Sequence, residues 1–344
     1  MHKSLIALAV LGTLAGSCAA QSSITIYGVA DAGIVVESGG PAGRLTKETG
    51  GGETPSRLGF RGKEDLGDGL SANFVLEMGY NMDTGTSAQG GVLFGRQAWL
   101  GINGGFGSVS LGRQYLPFFL TLVEVDPFLI GLAGNALNMM ATGGVRINNS
   151  IKYATPNVAG LTGEVLYGLG EQAGDTKAGS QYSASVAYEN GPLLVKLGYN
   201  NTWNLATGTV PATNAKNTLL ISKYNFGFAT GYIGYGINKS ELNTNAQNSN
   251  SRDAIIGARV PFGVSTVIVS YIRKQDKSSN NLSANQWALG YTYALSKSTD
   301  LYTSVARIHN KAPNTAKAGF YTVGNGADPG TGDRAFNLGV RHLF

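Results

Sequence analysis

Apolar and polar residues alternate with a period of two in many segments of the chain. Every second residue is apolar or aromatic in QYSASVAYEN (181–190) and NQWALGYTYAL (285–295), and most residues between them are small or polar. RINNSIKY (146–153) shows the same alternation, which would put Ile147 and Ile151 on one face. Successive residues of a strand point to opposite faces, so these segments predict strands with one apolar and one polar face. That pattern is typical of strands that separate lipid from a water-filled lumen.

The same alternation gathers positive charges on one strand face in SRLGFRGKEDLG (56–67). Cations occupy odd positions there, and large apolar residues lie between them. A soluble sheet would turn the apolar face to a core, whereas a membrane barrel would turn it to lipid and the cations to the lumen. The cations are Arg57, Arg61 and Lys63, and the apolar residues are Leu58 and Phe60.

The end of the chain, FNLGVRHLF (336–344), also alternates. Its large apolar residues Phe336, Leu338, Val340 and Phe344 share one parity. A soluble protein has no physical reason to finish a strand on an exposed Phe. We therefore predict that Phe344 ends a barrel-closing strand whose apolar face meets lipid.

The connections between the alternating segments are short and long in turn. The short ones are rich in Gly, Pro and Asn, as tight turns require, and lie at 64–69, 103–107, 155–160, 189–192, 225–228, 261–264 and 295–299. The longer polar ones lie near 37–54, 81–92, 116–145, 171–180, 204–216, 239–251, 275–284 and 309–332. Counting the strands on either side gives sixteen, an even number, with short turns at one end and long loops at the other.

This layout predicts an all-β fold, a transmembrane 16-stranded antiparallel β-barrel with short periplasmic turns and long extracellular loops. Barrels of about 16–18 strands leave an aqueous channel. A soluble sandwich of two packed sheets is the alternative, but it would not explain long loops gathered at one end.

The first twenty residues, MHKSLIALAVLGTLAGSCAA, have a basic start, an apolar run and a small-residue end. They predict a signal peptide (1–20) cleaved after Ala20, followed by a single barrel domain at 21–344. A buried N-terminal helix and a lipoprotein site at Cys18 are the alternatives. Cys18 is the only cysteine, so cleavage would leave no thiol for disulfides, metal sites or nucleophilic catalysis.

Composition supports a β-rich chain and argues against several functions. The 50 glycines among 344 residues are about twice the usual share of roughly 7%. The net charge of +5 is diffuse, and neither a basic run nor an RNA-type aromatic motif supports nucleic-acid binding. Beyond the signal, His309 and His342 are the only histidines, and no His/Asp/Glu cluster has ligand spacing. We therefore expect no enzyme, no metal and no cofactor.

Five segments together resemble the Gram-negative trimeric general diffusion porins, especially the β-proteobacterial type. The resemblance covers essentially the whole mature chain and is carried by SSITIYGVADAG (22–33), SRLGFRGKEDLGDGL (56–70), FGRQAWLGINGGFGSVSLGRQY (94–115), NNSIKYATPNVAGL (148–161) and the terminal VRHLF. It implies a homotrimer in the outer membrane of a Gram-negative bacterium, in contact with the lipid bilayer and lipopolysaccharide. It also implies that a third loop, here about 116–145, folds into the lumen as a constriction. DPFLIG (126–131) departs from the Pro-Glu-Phe-Gly-Gly-like segment usual there, which leaves the path of the constriction open.

The resemblance places Arg57, Arg96 and Arg146 on the barrel wall opposite the inserted loop, as a basic ladder. Arg113 matches another wall position close to that loop, and Arg61 follows Arg57 by parity. Strict parity also predicts that Arg96 and Trp99 point to opposite faces. Stacked guanidinium groups in a narrow passage would attract anions and repel cations. Each arginine alone could equally be a solvated lumenal charge with little effect on flow.

Acidic partners for this ladder are fewer. Glu124 and Asp126 lie near the place of the family's loop carboxylates, and Glu77 faces the lumen by parity. They could set a transverse field across the aperture or hold the loop to the wall. The aromatic residues Tyr115, Phe118, Phe119 and Phe128 could guide sugars, but we favour a packing role for them.

The sequence thus predicts an outer-membrane porin for passive diffusion of small hydrophilic solutes and inorganic ions, with a preference for anions. A channel specific for one anion or oligosaccharide is an alternative. An adhesin or receptor barrel acting through its loops, such as 238–253, is another.

Overall fold

A computed structural model describes residues 23–41, 43–206, 212–241, 250–278, 282–311 and 321–344. The predicted signal peptide at 1–20, with Cys18, lies outside these ranges. Within them the chain forms strands β1–β17, one α-helix, α1 (Pro117–Val125), and two 3-10 turns at Gln89–Gly91 and Ala136–Asn138. The strands are β1 Ser23–Gly40, β2 Gly43–Gly50, β3 Arg57–Gly67, β4 Leu70–Gly79, β5 Gln97–Gly104, β6 Gly107–Tyr115, β7 Arg146–Ala154, β8 Leu161–Gly168, β9 Gln181–Asn190, β10 Leu193–Asn204, β11 Thr213–Asn225, β12 Thr230–Ser240, β13 Ser251–Phe262, β14 Ser265–Asp276, β15 Ala284–Ala294, β16 Thr299–Asn310 and β17 Arg334–Leu343.

The strands form one closed antiparallel barrel. From β3 onward, each strand pairs with the next along the chain, and β17 returns to pair with β1. Beyond the end of β17, Phe344 and Gly28 exchange two backbone hydrogen bonds of 3.2 and 2.9 Å. The last residue therefore lies at the seam that closes the barrel, and its side chain is 55% exposed.

Strands β2 and β3 together fill one barrel position. β3 pairs with residues 23–29 of β1, and β2 pairs with residues 32–40 of the same strand. The segment 51–56 interrupts this position between them. The described residues therefore form a barrel with sixteen positions, which confirms the predicted strand number.

The predicted long loop near 37–54 is wrong for most of its length. β1 runs to Gly40 and β2 spans Gly43–Gly50, so this region is a hairpin that extends the barrel wall. Its many polar side chains suggested a loop, whereas in the structure Glu37 has partners both within the hairpin and in a distant segment. Glu37 is buried, pairs with Lys47 at 2.7 Å and accepts a hydrogen bond from the backbone N–H of Thr331 at 2.8 Å.

The strand faces largely follow the alternation of the sequence. Phe60 pairs with Ile26 and Leu76, and Ile26 is 61% exposed on the outer surface. Arg57 pairs with Val29 on the opposite, lumenal face. The opening pattern of β3 therefore separates an apolar outer belt from lumenal cations, as predicted.

The prediction that Ile147 and Ile151 share a face is wrong. Asn149 has a φ of +52°, and between Ile147 and Ser150 the strand β7 has one residue more than β6. Such a bulge shifts the alternation by one residue. Ile147 consequently packs toward the interior, whereas Ile151 is 46% exposed outside.

The third long loop, residues 116–145, lies inside the barrel. Its helix α1 begins with Pro117, which suits the first helical position, and ends before Asp126-Pro127, where proline disfavours continuation. The helix packs on the inner faces of β9, β10 and β11. The loop is also bonded across the lumen, since the N–H of Ala133 donates to Ser304 Oγ at 3.0 Å and Asn138 Nδ2 to Gln286 Oε1 at 2.8 Å.

This packing gives the barrel an off-centre core. Phe118, Leu122 and Val125 of α1 are almost fully buried together with Phe128 and Leu132. At Gly290 the wall has no side chain, and an added Cβ would lie 2.8 Å from the Phe128 ring. No helix in the described ranges is long and apolar enough to cross a membrane.

Candidate functional site: the lumenal constriction

A cavity of about 770 Å³ remains between the inserted loop and the opposite barrel wall. Four arginines from the barrel wall line it, and we call them the arginine wall: Arg57, Arg96, Arg146 and Arg341. None of the described residues that line this cavity is an Asp or a Glu. The geometry thus offers a passing solute a cationic surface on the wall side.

Tyr115 holds two of these arginines in place. Its hydroxyl oxygen accepts hydrogen bonds from Arg96 Nη2 at 2.8 Å and from Arg146 Nη2 at 2.5 Å. The guanidinium carbon of Arg146 also lies 4.3 Å from the centre of the Tyr115 ring. This cation–π contact fixes the guanidinium plane while leaving its charge in place.

Glu77 lies behind the arginine wall. Its carboxylate is 2.8 Å from Arg96 Nε and 3.8 Å from Arg57 Nε, and it accepts a hydrogen bond from the Tyr27 hydroxyl at 3.0 Å. Glu77 is only 4% exposed. It therefore positions the two arginines and partly neutralises them, without lining the cavity itself.

Arg146 differs from the other members of the arginine wall. No ion pair joins it to a carboxylate in the part of the chain that the structure describes. Its Nε is buried and has no hydrogen-bond partner among the described residues. Arg146 is thus the member whose charge is least compensated by the protein.

Arg341 belongs to the arginine wall, although we did not single it out from the sequence. It bonds Asp300 Oδ2 at 2.5 Å and Thr54 Oγ1 at 3.0 Å, and lies 3.4 Å from Glu53 Oε1. The signal was available, because Arg341 alternates with Val340 in the last strand and so faces the lumen.

Asp31 supports the segment that carries Thr54. Its carboxylate accepts hydrogen bonds from the N–H groups of Gly52, Glu53 and Thr54 at 3.0, 2.9 and 2.7 Å. The hydroxyl of Tyr302 donates to the same carboxylate at 2.7 Å. The interruption between β2 and β3 is therefore a fixed part of the lumen wall.

Arg61 and Arg113 do not line the cavity. Arg61 lies nearer the β3–β4 turn, with its guanidinium 5.4 Å from the centre of the Tyr27 ring. Arg113 pairs with Ala98, which pairs in turn with Leu76 of the outer face. A register shift between Gly112 and Gln114 accompanies this orientation. Arg113 donates instead to the carbonyl of Gly95 at 2.8 Å and to Asn148 Oδ1 at 2.6 Å.

The expected opposition of Arg96 and Trp99 is wrong. Trp99 pairs with Val75, which pairs with Arg61 on the lumenal face. Arg96 reaches the lumen too, because it precedes β5 and is not bound by the strand's alternation. Parity therefore fails at the first residue outside the strand.

The two loop carboxylates, Glu124 and Asp126, also lie away from the cavity lining. Glu124 forms an ion pair of 2.6 Å with Lys223 on β11. Asp126 is fully buried, and its carboxylate accepts hydrogen bonds from the N–H groups of Phe128, Ile130 and Ala136 at 3.0, 2.9 and 2.9 Å. Burial raises the pKa of Asp126 to about 6, although the hydrogen bonds from these three donors offset part of the increase. Asp126 thus organises the turn of the loop through these three hydrogen bonds.

Some aromatic residues of the loop region are buried in the core, and others line the cavity. Phe118 and Phe128 are buried in the off-centre core. Tyr115 and Phe119 line the cavity. Within the described ranges, no group of three or more His, Cys, Asp or Glu residues is placed to hold a metal ion.

Comparison with known proteins agrees with this architecture. Residues 7–313 match the Gram-negative porin family. The chain is 34% identical to outer membrane porin protein 32 of Delftia acidovorans over the whole of both chains. It is 32% identical to an outer membrane porin protein of Bordetella pertussis, over 88% of this chain and 93% of that one.

A solved structure is similar over nearly the whole length as well. The anion-selective porin from Comamonas acidovorans superimposes with a TM-score of 0.79 at 31% identity, over 94% of this chain and 100% of that one. The family match, these relatives and the closed barrel all point the same way. The chain belongs to the Gram-negative porin family and is an outer-membrane porin.

Proposed function

We propose that this porin is a passive diffusion channel for ions and small hydrophilic solutes, and that the arginine wall makes it favour anions. The observation that carries the proposal is the cavity lined by Arg57, Arg96, Arg146 and Arg341 with no carboxylate among its described lining residues. Charges that line the narrowest section of a pore determine its selectivity. Guanidinium groups keep their charge at any working pH, and a confined cationic surface raises the local concentration of anions.

The setting of this channel is part of the same proposal. The exposed apolar belt, with Ile26 and Leu100 among its members, suits contact with the lipid bilayer, and lipopolysaccharide would meet its outer-leaflet side. We propose a homotrimer and export by the signal peptide at 1–20, in keeping with the family. The cavity offers charge and shape rather than catalytic groups, so the proposed role is transport and not catalysis.

Arg146 is the best residue for a test, since Arg96 is paired with the buried Glu77 and its removal would deprive that carboxylate of its shortest ion pair. A unit charge about 10 Å from a permeating ion in water contributes about 0.4 kcal/mol, with opposite sign for anion and cation. We therefore expect Arg146→Gln to lower the chloride-to-potassium permeability ratio by about fourfold. The measurement is the zero-current potential of the reconstituted protein in a planar bilayer under a KCl gradient.

Two further variants make this test specific. Arg146→Lys keeps the charge and should retain most of the anion preference. Arg334→Gln removes an arginine that is 49% exposed in its side chain and paired with Asp333, outside the cavity lining, and should change little. Cation preference of the wild type, or an unchanged potential in Arg146→Gln, would refute the proposed role of the arginine wall.

A further inference from the structure

The side of the cavity opposite the arginine wall is apolar. Residues of the inserted loop line it there, and we call them the apolar face: Phe119, Leu120, Val123, Leu129 and Leu137. Three of them, at positions 119, 120 and 123, follow helical spacing on α1. A solute in the constriction therefore meets cations on one side and hydrocarbon on the other.

The apolar face overlaps only in part with the surface that packs the loop into the barrel, because Leu129 lies outside the core while Phe119 belongs to it. Most of the packing is done by Phe118, Leu122 and Val125 of α1, each at most 1% exposed, and Phe119 contributes to it at 6% exposed. Leu120 and Val123 stay partly exposed and line the cavity. Packing of the loop therefore does not by itself account for the apolar surface that Leu120, Val123 and Leu129 still expose to the lumen.

Leu129 is the clearest member of the apolar face. Its side chain is 54% exposed, and its backbone has a φ of +53°, followed by +63° at Ile130. Such values are unusual for residues other than glycine and persist only where the surroundings impose them. Here Asp126 accepts from the N–H of Ile130, and the N–H of Leu132 donates to the carbonyl of Gly52 at 2.6 Å. The loop thus holds a strained turn that presents a large apolar side chain to the lumen.

The cationic and apolar surfaces meet at one point. Phe119 stacks on Tyr115 with ring centres 5.8 Å apart and planes 10° from parallel. The Tyr115 hydroxyl is bonded to Arg96 and Arg146. A small solute that contacts a guanidinium near Tyr115 is therefore also beside the apolar face. The cavity volume of about 770 Å³ falls within the roughly 300–1,000 Å³ typical of small-molecule sites.

We propose that this constriction selects amphipathic organic monoanions, with a carboxylate head on the arginine wall and an aliphatic or aromatic body on the apolar face. The inference rests on the anion preference proposed above and adds a substrate class to it. Arginine suits the head because its planar fork binds a carboxylate through two parallel hydrogen bonds. A body without hydroxyl groups loses little by leaving water at an apolar surface, whereas a polyhydroxylated body gives up hydrogen bonds that the surface cannot replace.

The test compares three-carbon monocarboxylates that differ in hydroxyl number: propionate, lactate and glycerate. Zero-current potentials are measured at pH 8, where all three are ionised, with each anion opposing chloride and with a protein-free bilayer as a leak control. After each permeability is corrected for the anion's diffusion coefficient in water, propionate should be more permeant than glycerate by at least about threefold. A closed hydrophobic pocket discriminates by about 10–200-fold, and an open passage should discriminate less. Benzoate should reduce the chloride current saturably.

Variants of the apolar face test whether this surface causes the preference for propionate. The combined Leu120→Gln, Val123→Thr and Leu129→Asn variant keeps size and removes apolar character, so the propionate preference should disappear while chloride remains favoured over potassium. Val123→Thr alone, nearly isosteric, serves if the combined variant does not fold, and should lower the preference in part. Leu169→Asn, at an exposed leucine outside the cavity, is the matched control and should leave the preference intact.

The outcomes separate the two proposals. Equal corrected permeabilities of the three anions in the wild type, with chloride still favoured over potassium, would overturn the amphipathic selectivity and leave the anion channel standing. An unchanged propionate preference in the apolar-face variants would also overturn it. Potassium favoured over chloride in the wild type would instead overturn the proposed function itself.

Discussion

The two sides of the barrel lumen differ in how they are filled. On the side of β9–β11, the inserted loop fills the lumen with a dry core around Phe118 and Leu122. On the side of β3–β7 and β17, the barrel wall borders the open cavity and carries the arginine wall. The difference shows that a wide barrel need not be an open tube. One half is packed like a protein interior so that the other half can be a passage of defined chemistry.

The two sides also use buried carboxylates differently. Asp126 satisfies backbone N–H groups and so shapes the loop. Glu77 pairs with guanidinium groups and so tunes charge. One carboxylate therefore holds the shape of the inserted loop, and the other partly compensates the charge of two arginines.

Removing Asp126 should have the largest effect on the difference between the two sides, because the packed side would lose the hydrogen bonds that hold the turn of the inserted loop. Asp126→Ala leaves the N–H groups of Phe128, Ile130 and Ala136 without their acceptor, at about 1–3 kcal/mol for each buried donor. We expect a higher and noisier single-channel conductance and new protease sensitivity in the 126–137 region. Glu124→Ala is the matched control. The side chains of Glu124 and Lys223 are 41% and 31% exposed, so their ion pair contributes little to stability. Conductance and proteolysis equal to wild type in Asp126→Ala would contradict this role.

A change at Glu77 should alter the anion preference on the side of the lumen that carries the arginine wall. Glu77→Gln removes the negative charge behind Arg57 and Arg96, so the chloride preference should increase. Breaking a buried pair also costs about 3–5 kcal/mol, so the melting temperature of the folded barrel should fall. Zero-current potentials and thermal melts measure the two effects. A decrease in chloride preference would show that Glu77 does not compensate the arginine wall.

The barrel itself could be predicted from the sequence because strands impose a period of two on every residue. Phe60 outside and Arg57 inside follow directly from that rule. The rule failed where the strand is interrupted. Arg96 lies just before β5, and the bulge at Asn149 moves Ile147 inward. A single sequence offers no signal for such local shifts.

The candidate site was predictable in part on the wall, where Arg61 and Arg113 do not line the cavity, and not on the loop. Arg57, Arg96 and Arg146 do line one cavity, and Arg341 could have been added by parity. The directions of Glu124 and Asp126 depend on how an irregular loop folds against distant strands. Asp126, for example, is buried by its own loop, whose N–H groups it binds. Such directions are set by tertiary packing rather than by local periodicity.

Arg113 provides the finest test of the comparison, and the smallest expected effect. The resemblance assigns it to the basic ladder, whereas the strand register turns it to the outer face, where it bonds Gly95 and Asn148. If the register is decisive, Arg113→Gln should shift the zero-current potential by less than a quarter of the shift in Arg146→Gln. The comparison is most sensitive at low salt, since at 0.01 M the Debye length is about 30 Å and a lumenal charge would act fully on permeating ions. A shift as large as that of Arg146→Gln would mean that Arg113 faces the passage and that the cationic surface extends past the bulge. A negligible shift would confine selectivity to the arginines that line the cavity, because position relative to the passage, and not the number of cations in the barrel, determines which ions pass.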